Sequence, residues 1–187
     1  MFLVGPYLFS GDDLDAYLAG CRAAALKAAA EIPPAEVSAR GRDAVIRDLY
    51  ARHAVPVTNL HVESAHFTSE RKLTADEREA IGVSDEDADK LKAITIAIPY
   101  SGDEHLFTCT PTIYSAHQPQ ADVRDGTLSV TYLLNEVEEF QLENNFKRLV
   151  ALIERTLEVT QWQAMAYNER LSEALAGAVA VPVDARS

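Results

Sequence analysis

The sequence predicts an α+β fold: two N-terminal helices, an antiparallel sheet of three to five strands, and one long C-terminal helix packed on the sheet. Three observations carry this. Apolar residues recur at three- and four-residue spacing over residues 11–31 and about 35–53. Between residues 93 and 134 the period falls to two, punctuated by turn residues. From 136 to 176 no proline or glycine interrupts a helical pattern. Helices, then strands, then a helix suit an α+β layer arrangement better than a parallel α/β sheet.

In chain order, Ser10 ahead of Asp12 and Asp13 reads as an N-cap with acidic groups near the positive end of the first helix. Leu14, Tyr17, Leu18, Cys21, Ala25 and Ala28 form its narrow apolar stripe, and Pro33-Pro34 stops it. The second helix presents Val37, Val45, Ile46, Leu49 and Tyr50 on one side. Gly41 weakens its middle by about 1 kcal/mol relative to Ala. After Pro56, the apolar residues Val57, Leu60, Val62 and Phe67 suggest one strand or extended segment. Thr74 with Glu77, and Ser84 with Asp87, have the spacing of helix starts, with Gly82 between them. Two short helical turns are therefore expected in an exposed acidic insertion at about 70–91.

Ile94, Ile96 and Ile98 share one face of a strand. Ser101-Gly102-Asp103-Glu104 supplies a turn. Residues 106–115 are expected to form the next strand, which Pro111 restricts to an edge or a bulge. Asp125-Gly126 is a hairpin signal joining 121–124 to 127–134, so the block reads as an antiparallel meander. Asn135 and Glu138 form a capping pair for the final helix, which at 1.5 Å per residue would run ~60 Å from 136 to 176. A body of this size has a radius of gyration near ~16 Å. The helix is expected to bend or break near 156–160, or to protrude at its far end and pack on another chain.

The chain has 187 residues, 48% hydrophobic and 25% charged. That suits one globular domain over residues 1–181, able to hold a core without disulfides or metal, and a disordered tail at 182–187. Cys21 and Cys109 lie far apart and make no disulfide framework, which suits a reducing cytosol. Residues 1–9 are apolar but lack a basic start and are broken by Gly5-Pro6, so no signal peptide is expected. No window approaches the ~20 apolar residues of a spanning helix. A cytoplasmic location without membrane contact is expected. Net charge is −12, and residues 93–146 carry eight acidic side chains against Arg124 alone. Counterion release on nucleic acid needs clustered Lys or Arg, so direct nucleic-acid binding is not expected.

His61, Glu63 and His66 are the metal-ligand candidates, and would belong to a metal-dependent hydrolase or nuclease. On a strand His61 and Glu63 share a face while His66 points away; on a helix the histidines stand ~140° apart. The spacing is not that of a zincin. It matches the His-x-Glu half of a zinc deaminase without the Pro-Cys-x-x-Cys half. Ordinary polar or core histidines are the favoured reading. Glu70-Arg71-Lys72 offers only the Glu-x-Lys end of a nuclease core. His105 and Cys109 are four residues apart, but a cysteine in an apolar segment is most often packing. No catalytic residue, metal or cofactor is assigned.

The run Ile96-Ala97-Ile98-Pro99-Tyr100-Ser101-Gly102, followed by Leu106-Phe107 and Pro111-Thr112, resembles the hairpin pattern of an uncharacterised group of bacterial proteins. The long C-terminal helix with Tyr167-Asn168 is similar too. The resemblance covers roughly residues 93–176 and departs in the insertion at 70–91. It implies a bacterial accessory protein, of the kind encoded beside larger machinery in mobile or phage-defence loci, and carries no site residues with it.

The function expected from these observations is a non-enzymatic assembly, adaptor or sensing subunit of a bacterial cytoplasmic complex. The alternatives are the metal-dependent enzyme above and an acidic nucleic-acid mimic. The interaction element is expected to be the distal half of the long helix, through Trp162, Met165, Asn168, Leu171 and Leu175, engaging a protein partner or a second copy. The helix carries more apolar residues than one face of a small sheet can cover, which leaves a patch of the kind that marks a partner site unless the N-terminal helices cover it.

Overall fold

The computed structural model describes residues 1–112 and 118–179. Its elements are β1 (Phe2–Val4), α1 (Leu14–Ala30), α2 (Pro34–Arg40), α3 (Arg42–His53), β2 (Asn59–Leu60), β3 (His66–Lys72), α4 (Ala75–Ile81) and α5 (Asp85–Ala88). They are followed by β4 (Lys92–Ser101), α6 (His105–Thr108), β5 (Asp122–Arg124), β6 (Thr127–Leu134), α7 (Glu136–Glu139) and α8 (Leu142–Ala178). This is the mixed helix and antiparallel-sheet class that the sequence predicts. The tail at 182–187 and the end of the strand expected at 106–115 lie outside the described residues.

The sheet has six strands, all paired antiparallel, in the order β1-β6-β4-β2, with β3 also on β4 and β5 also on β6. It is not the expected meander. β4 pairs directly with β6, from Lys92 opposite Leu134 to Pro99 opposite Thr127, and β1, which no local signal announces, extends β6 at one edge. Asp125 and Gly126, at φ 49° and 75°, make the left-handed two-residue turn of the β5–β6 hairpin. Directly opposed residues share a face, so Ile94, Ile96 and Ile98 line up with Leu128, Val130, Tyr132 and Leu134. Ala93, Thr95 and Ala97 line up with Ser129, Thr131 and Leu133 on the other face.

The isoleucine face packs with Leu149, Val150, Ile153 and Leu157 of α8 in the main core. Each fully buried aliphatic side chain there stabilises the fold by roughly 1.5–3 kcal/mol. The other face is partly covered by the insertion, where Leu73, Ala93 and Leu133 form a small second cluster with Val4, Ile81 and Leu91. Residues 70–91 are therefore not a free excursion. Residues 66–72 form β3 on the β4 edge, and α4 starts at the expected capping box of Thr74 and Glu77.

Several local expectations are corrected. α1 is capped by Asp13, whose carboxylate accepts from the Ala16 N–H at 2.9 Å, while the Ser10 hydroxyl bonds the Tyr7 carbonyl. Gly41, at φ 85°, divides the predicted second helix into α2 and α3. The extended segment 57–67 is cut by a 3-10 turn at Val62–Ser64. Leu106 and Phe107 enter the core from the short helix α6 rather than from a strand. The Asn135–Glu138 capping box is present, but it starts α7, and α8 begins afresh at Leu142.

α8 runs 37 residues without a break, about 56 Å. At the point where a bend was expected, the Thr156 and Thr160 hydroxyls donate to the Leu152 and Leu157 carbonyls, both at 2.9 Å, so these buried polar groups are satisfied within the helix. The far end does not protrude uncovered. α1 and α3 flank it and form a helical layer beside the sheet. Among the described residues no helix is long and apolar enough to cross a membrane.

Candidate interaction surface

The inner side of the distal half of α8 is sealed by α3 and the segment that follows it. The Tyr167 hydroxyl donates to the His53 carbonyl at 2.9 Å, which closes the last turn of α3. Asn168 donates through Nδ2 to the Val55 carbonyl and accepts at Oδ1 from the Val55 N–H, both at 2.9 Å. Its amide therefore reproduces a strand's pairing for one residue of irregular chain. Gln161 donates to the Thr58 carbonyl, and Arg42 donates to the carbonyls of Ala176 and Val179 at the end of α8. Burial, with smaller contributions from Cys21 and Tyr50 and against the opposing charge of Arg22, pushes the Tyr167 phenol up to about 12.

The structure gives the five expected interaction residues three different fates. Leu171 and Leu175 are fully buried in the main core, so neither is available to another chain. Asn168 is engaged with Val55 as described. Trp162 and Met165 face outward, 75% and 50% exposed. Met165, Asn168, Glu169 and Ser172 form one wall of a groove of about 570 Å³, and Asp43, Ile46, Arg47 and Tyr50 of α3 form the other. The α3 wall was not singled out from sequence, although Ile46 and Tyr50 are a helical i, i+4 pair that could have marked it.

The metal-ligand candidates do not converge. His61 lies at 3.2 Å from the Ser101 hydroxyl and 3.8 Å from the exposed Glu63, while the His66 ring is paired with the Ser64 carbonyl. Among the described residues no group of three or more His, Cys, Asp or Glu is placed to hold a metal ion. Of Glu70-Arg71-Lys72, the first two are spent locally: Glu70 pairs with Lys92, and Arg71 makes a two-pronged pair with Glu77. Cys109 is buried, which pushes its thiol pKa up and makes it a poor nucleophile.

One polar cluster escaped sequence reasoning. The Asp103 carboxylate accepts from the Tyr17 hydroxyl at 2.7 Å, the His105 N–H at 3.0 Å and the His105 ring at 2.9 Å, and the Tyr17 and His105 rings stack 5.1 Å apart. Burial works against ionisation of Asp103, but the bonds from Tyr17 and His105 hold it below the usual carboxylate range. Burial and the Asp103 charge push the Tyr17 phenol up. The neighbouring Gly102, at φ 105°, lies so close to the backbone of Val57 and Thr58 that a Cβ would stand 2.6 Å from the Thr58 Cα. Among the described residues no hydroxyl or thiol hydrogen-bonds the His105 ring to serve as a nucleophile. The cluster fastens the turn after β4 to α1. Its only sequence signal is Asp-x-His after a glycine turn.

Comparison with known proteins finds no matching family model, no matching curated protein and no matching solved structure.

Proposed function

We propose that the chain acts by binding another protein, as an assembly, adaptor or sensing subunit of a bacterial cytoplasmic complex, and that the outward ridge of α8 with the α3–α8 groove is the contact. The observation that supports this is the exposure of Trp162 and Met165 beside the α3–α8 groove, on a helix whose other large apolar side chains in the distal half, Tyr167, Leu171 and Leu175, are buried. Tryptophan and methionine are enriched in the cores of interfaces. The resemblance of residues 96–112 to bacterial accessory proteins suggests mobile or phage-defence loci as the setting. The acidic-mimic alternative is less well supported, because Asp122, Glu138, Glu139 and Glu143 each hold a cation of this chain rather than forming a free row of charge.

Trp162 is the only tryptophan, so its fluorescence reports this surface alone. In a complex purified through tagged protein from the native host, its emission should be blue-shifted and protected from a soluble quencher. Trp162→Glu with Met165→Glu should keep the unfolding temperature of the dilute, unassociated wild type and leave the complex. A double variant that stays in a complex of unchanged mass sinks the proposal.

A further inference from the structure

The outward ridge of α8 carries a charge pattern of its own. Arg148, Arg155, Trp162 and Glu169 recur at seven-residue intervals and are all exposed. A straight α-helix drifts only ~20° per seven residues, so they form one slightly slanted line. Positive charge lies before Trp162 on this line and negative charge after it, with Glu173 one turn beyond Glu169. Among the described residues no ion pair holds Arg148, Arg155 or Glu169, whereas Lys147, off the line, is paired with Glu143.

We infer that the occupant of this surface is a second copy of the chain, packed antiparallel along α8 with Trp162 on the two-fold axis. This rests on the reading of the ridge as a binding surface. Arg155 lies seven residues before Trp162 and Glu169 seven after it. A two-fold axis through Trp162 therefore sets Arg155 of each copy opposite Glu169 of the other. By the same symmetry Val159 meets Met165, and Glu158 meets Ala166. No pair on the seam opposes like charges, and the centre of the contact is apolar. A partner of one charge sign would be attracted by one of Arg155 and Glu169 and repelled by the other, but an antiparallel copy complements both, while Arg148 and Glu173 face Ala176 and Ala151. Self-complementarity of this kind is what a two-fold contact requires. The slant of a seven-residue repeat suits helices crossing at about 20°. The net charge of −12 on each copy opposes association only weakly beyond a Debye length of about 8 Å at physiological salt.

Sedimentation equilibrium on the full chain tests the inference. Wild type should give a concentration-dependent dimer, with Trp162 emission shifting to the blue as the dimer forms. Trp162→Glu should raise the dimer dissociation constant about a hundredfold, as loss of a central aromatic anchor on both copies does. Arg155→Glu alone and Glu169→Arg alone should each raise it about tenfold at low salt by setting like charges opposite one another. An equimolar mixture of those two variants should restore the dimer, because each reversed charge then meets its opposite. A wild-type dimer indifferent to both Trp162→Glu and Arg155→Glu overturns the inference. So does a wild-type monomer at every concentration, and the state of Trp162 in the native complex then separates the two readings. If Trp162 is protected there, the second copy fails but the binding surface stands; if it is open to quencher, both fail.

Discussion

Leu171 and Trp162 sit nine residues apart on one helix, and both belong to its apolar complement, yet Leu171 is fully buried and Trp162 is 75% exposed. The same contrast divides the whole of α8. One side, through Ile153, Leu157, Ala164, Leu171 and Leu175, is closed first by the sheet and then by α1 and α3. The other side, through Trp162 and Met165, is left open to solvent, Trp162 by 75% and Met165 by 50%. The difference shows that hydrophobic content does not assign a residue to the core; its phase around the helix relative to the neighbouring layers does. The inner side should govern stability and the outer side association, and the two should be separable by mutation.

The largest expected effect is on the inner side. Leu171→Ala should cost about 3 kcal/mol of unfolding free energy by denaturant titration, the usual range for an aliphatic side chain removed from a closed site. A change below about 1 kcal/mol would mean that the α1–α3 layer does not close over the helix. Asn168→Ala should cost about 2 kcal/mol, because both backbone groups of Val55 lose their partner. Hydrogen exchange at the Val55 amide should accelerate in the same variant. If that amide exchanges at the wild-type rate, Asn168 is not its cap.

Tyr167→Phe removes the bond to His53 and should cost about 1 kcal/mol near neutral pH. Its pH dependence sharpens the comparison. The folded phenol titrates at about 12 against an ordinary 10.0, so its contribution is complete below pH 10 and is lost as pH rises towards 12. Tyr17 and Tyr132 are raised by burial as well, so the measurement is the difference between wild type and Tyr167→Phe. That difference should shrink across this window. A constant difference would place the phenol in water. The smallest effect belongs to the outer side: at a concentration where the wild type is monomeric, Trp162→Ala should change stability by no more than about 0.5 kcal/mol. A loss of about 2 kcal/mol or more would show that Trp162 is core, and the comparison would collapse.

Much of the local structure was legible because its causes are local. Asp125-Gly126 forms a left-handed turn whatever surrounds it, and the Thr74–Glu77 and Asn135–Glu138 boxes close between residues three apart. Leu106 and Phe107 were misread because two core residues in a four-residue helix leave no periodicity to detect. β1 was missed for a related reason: Phe2, Leu3 and Val4 become a strand only because β6 offers them an edge. In the candidate surface, Trp162 and Met165 were visible as large apolar residues on a long helix. Their groove was not, because Ile46 and Tyr50 lie more than a hundred residues away in the chain.

By itself, the sequence determined the α+β class, the Asp125-Gly126 hairpin, the Thr74–Glu77 and Asn135–Glu138 capping boxes and the presence of a long final helix, since each follows from interactions among near neighbours in the chain. Tertiary structure alone decided which side of that helix is closed, that Asn168 serves Val55, and that Tyr17 reaches Asp103. Those outcomes depend on which distant segments arrive at the same place, and a local pattern of residue types does not encode that arrival.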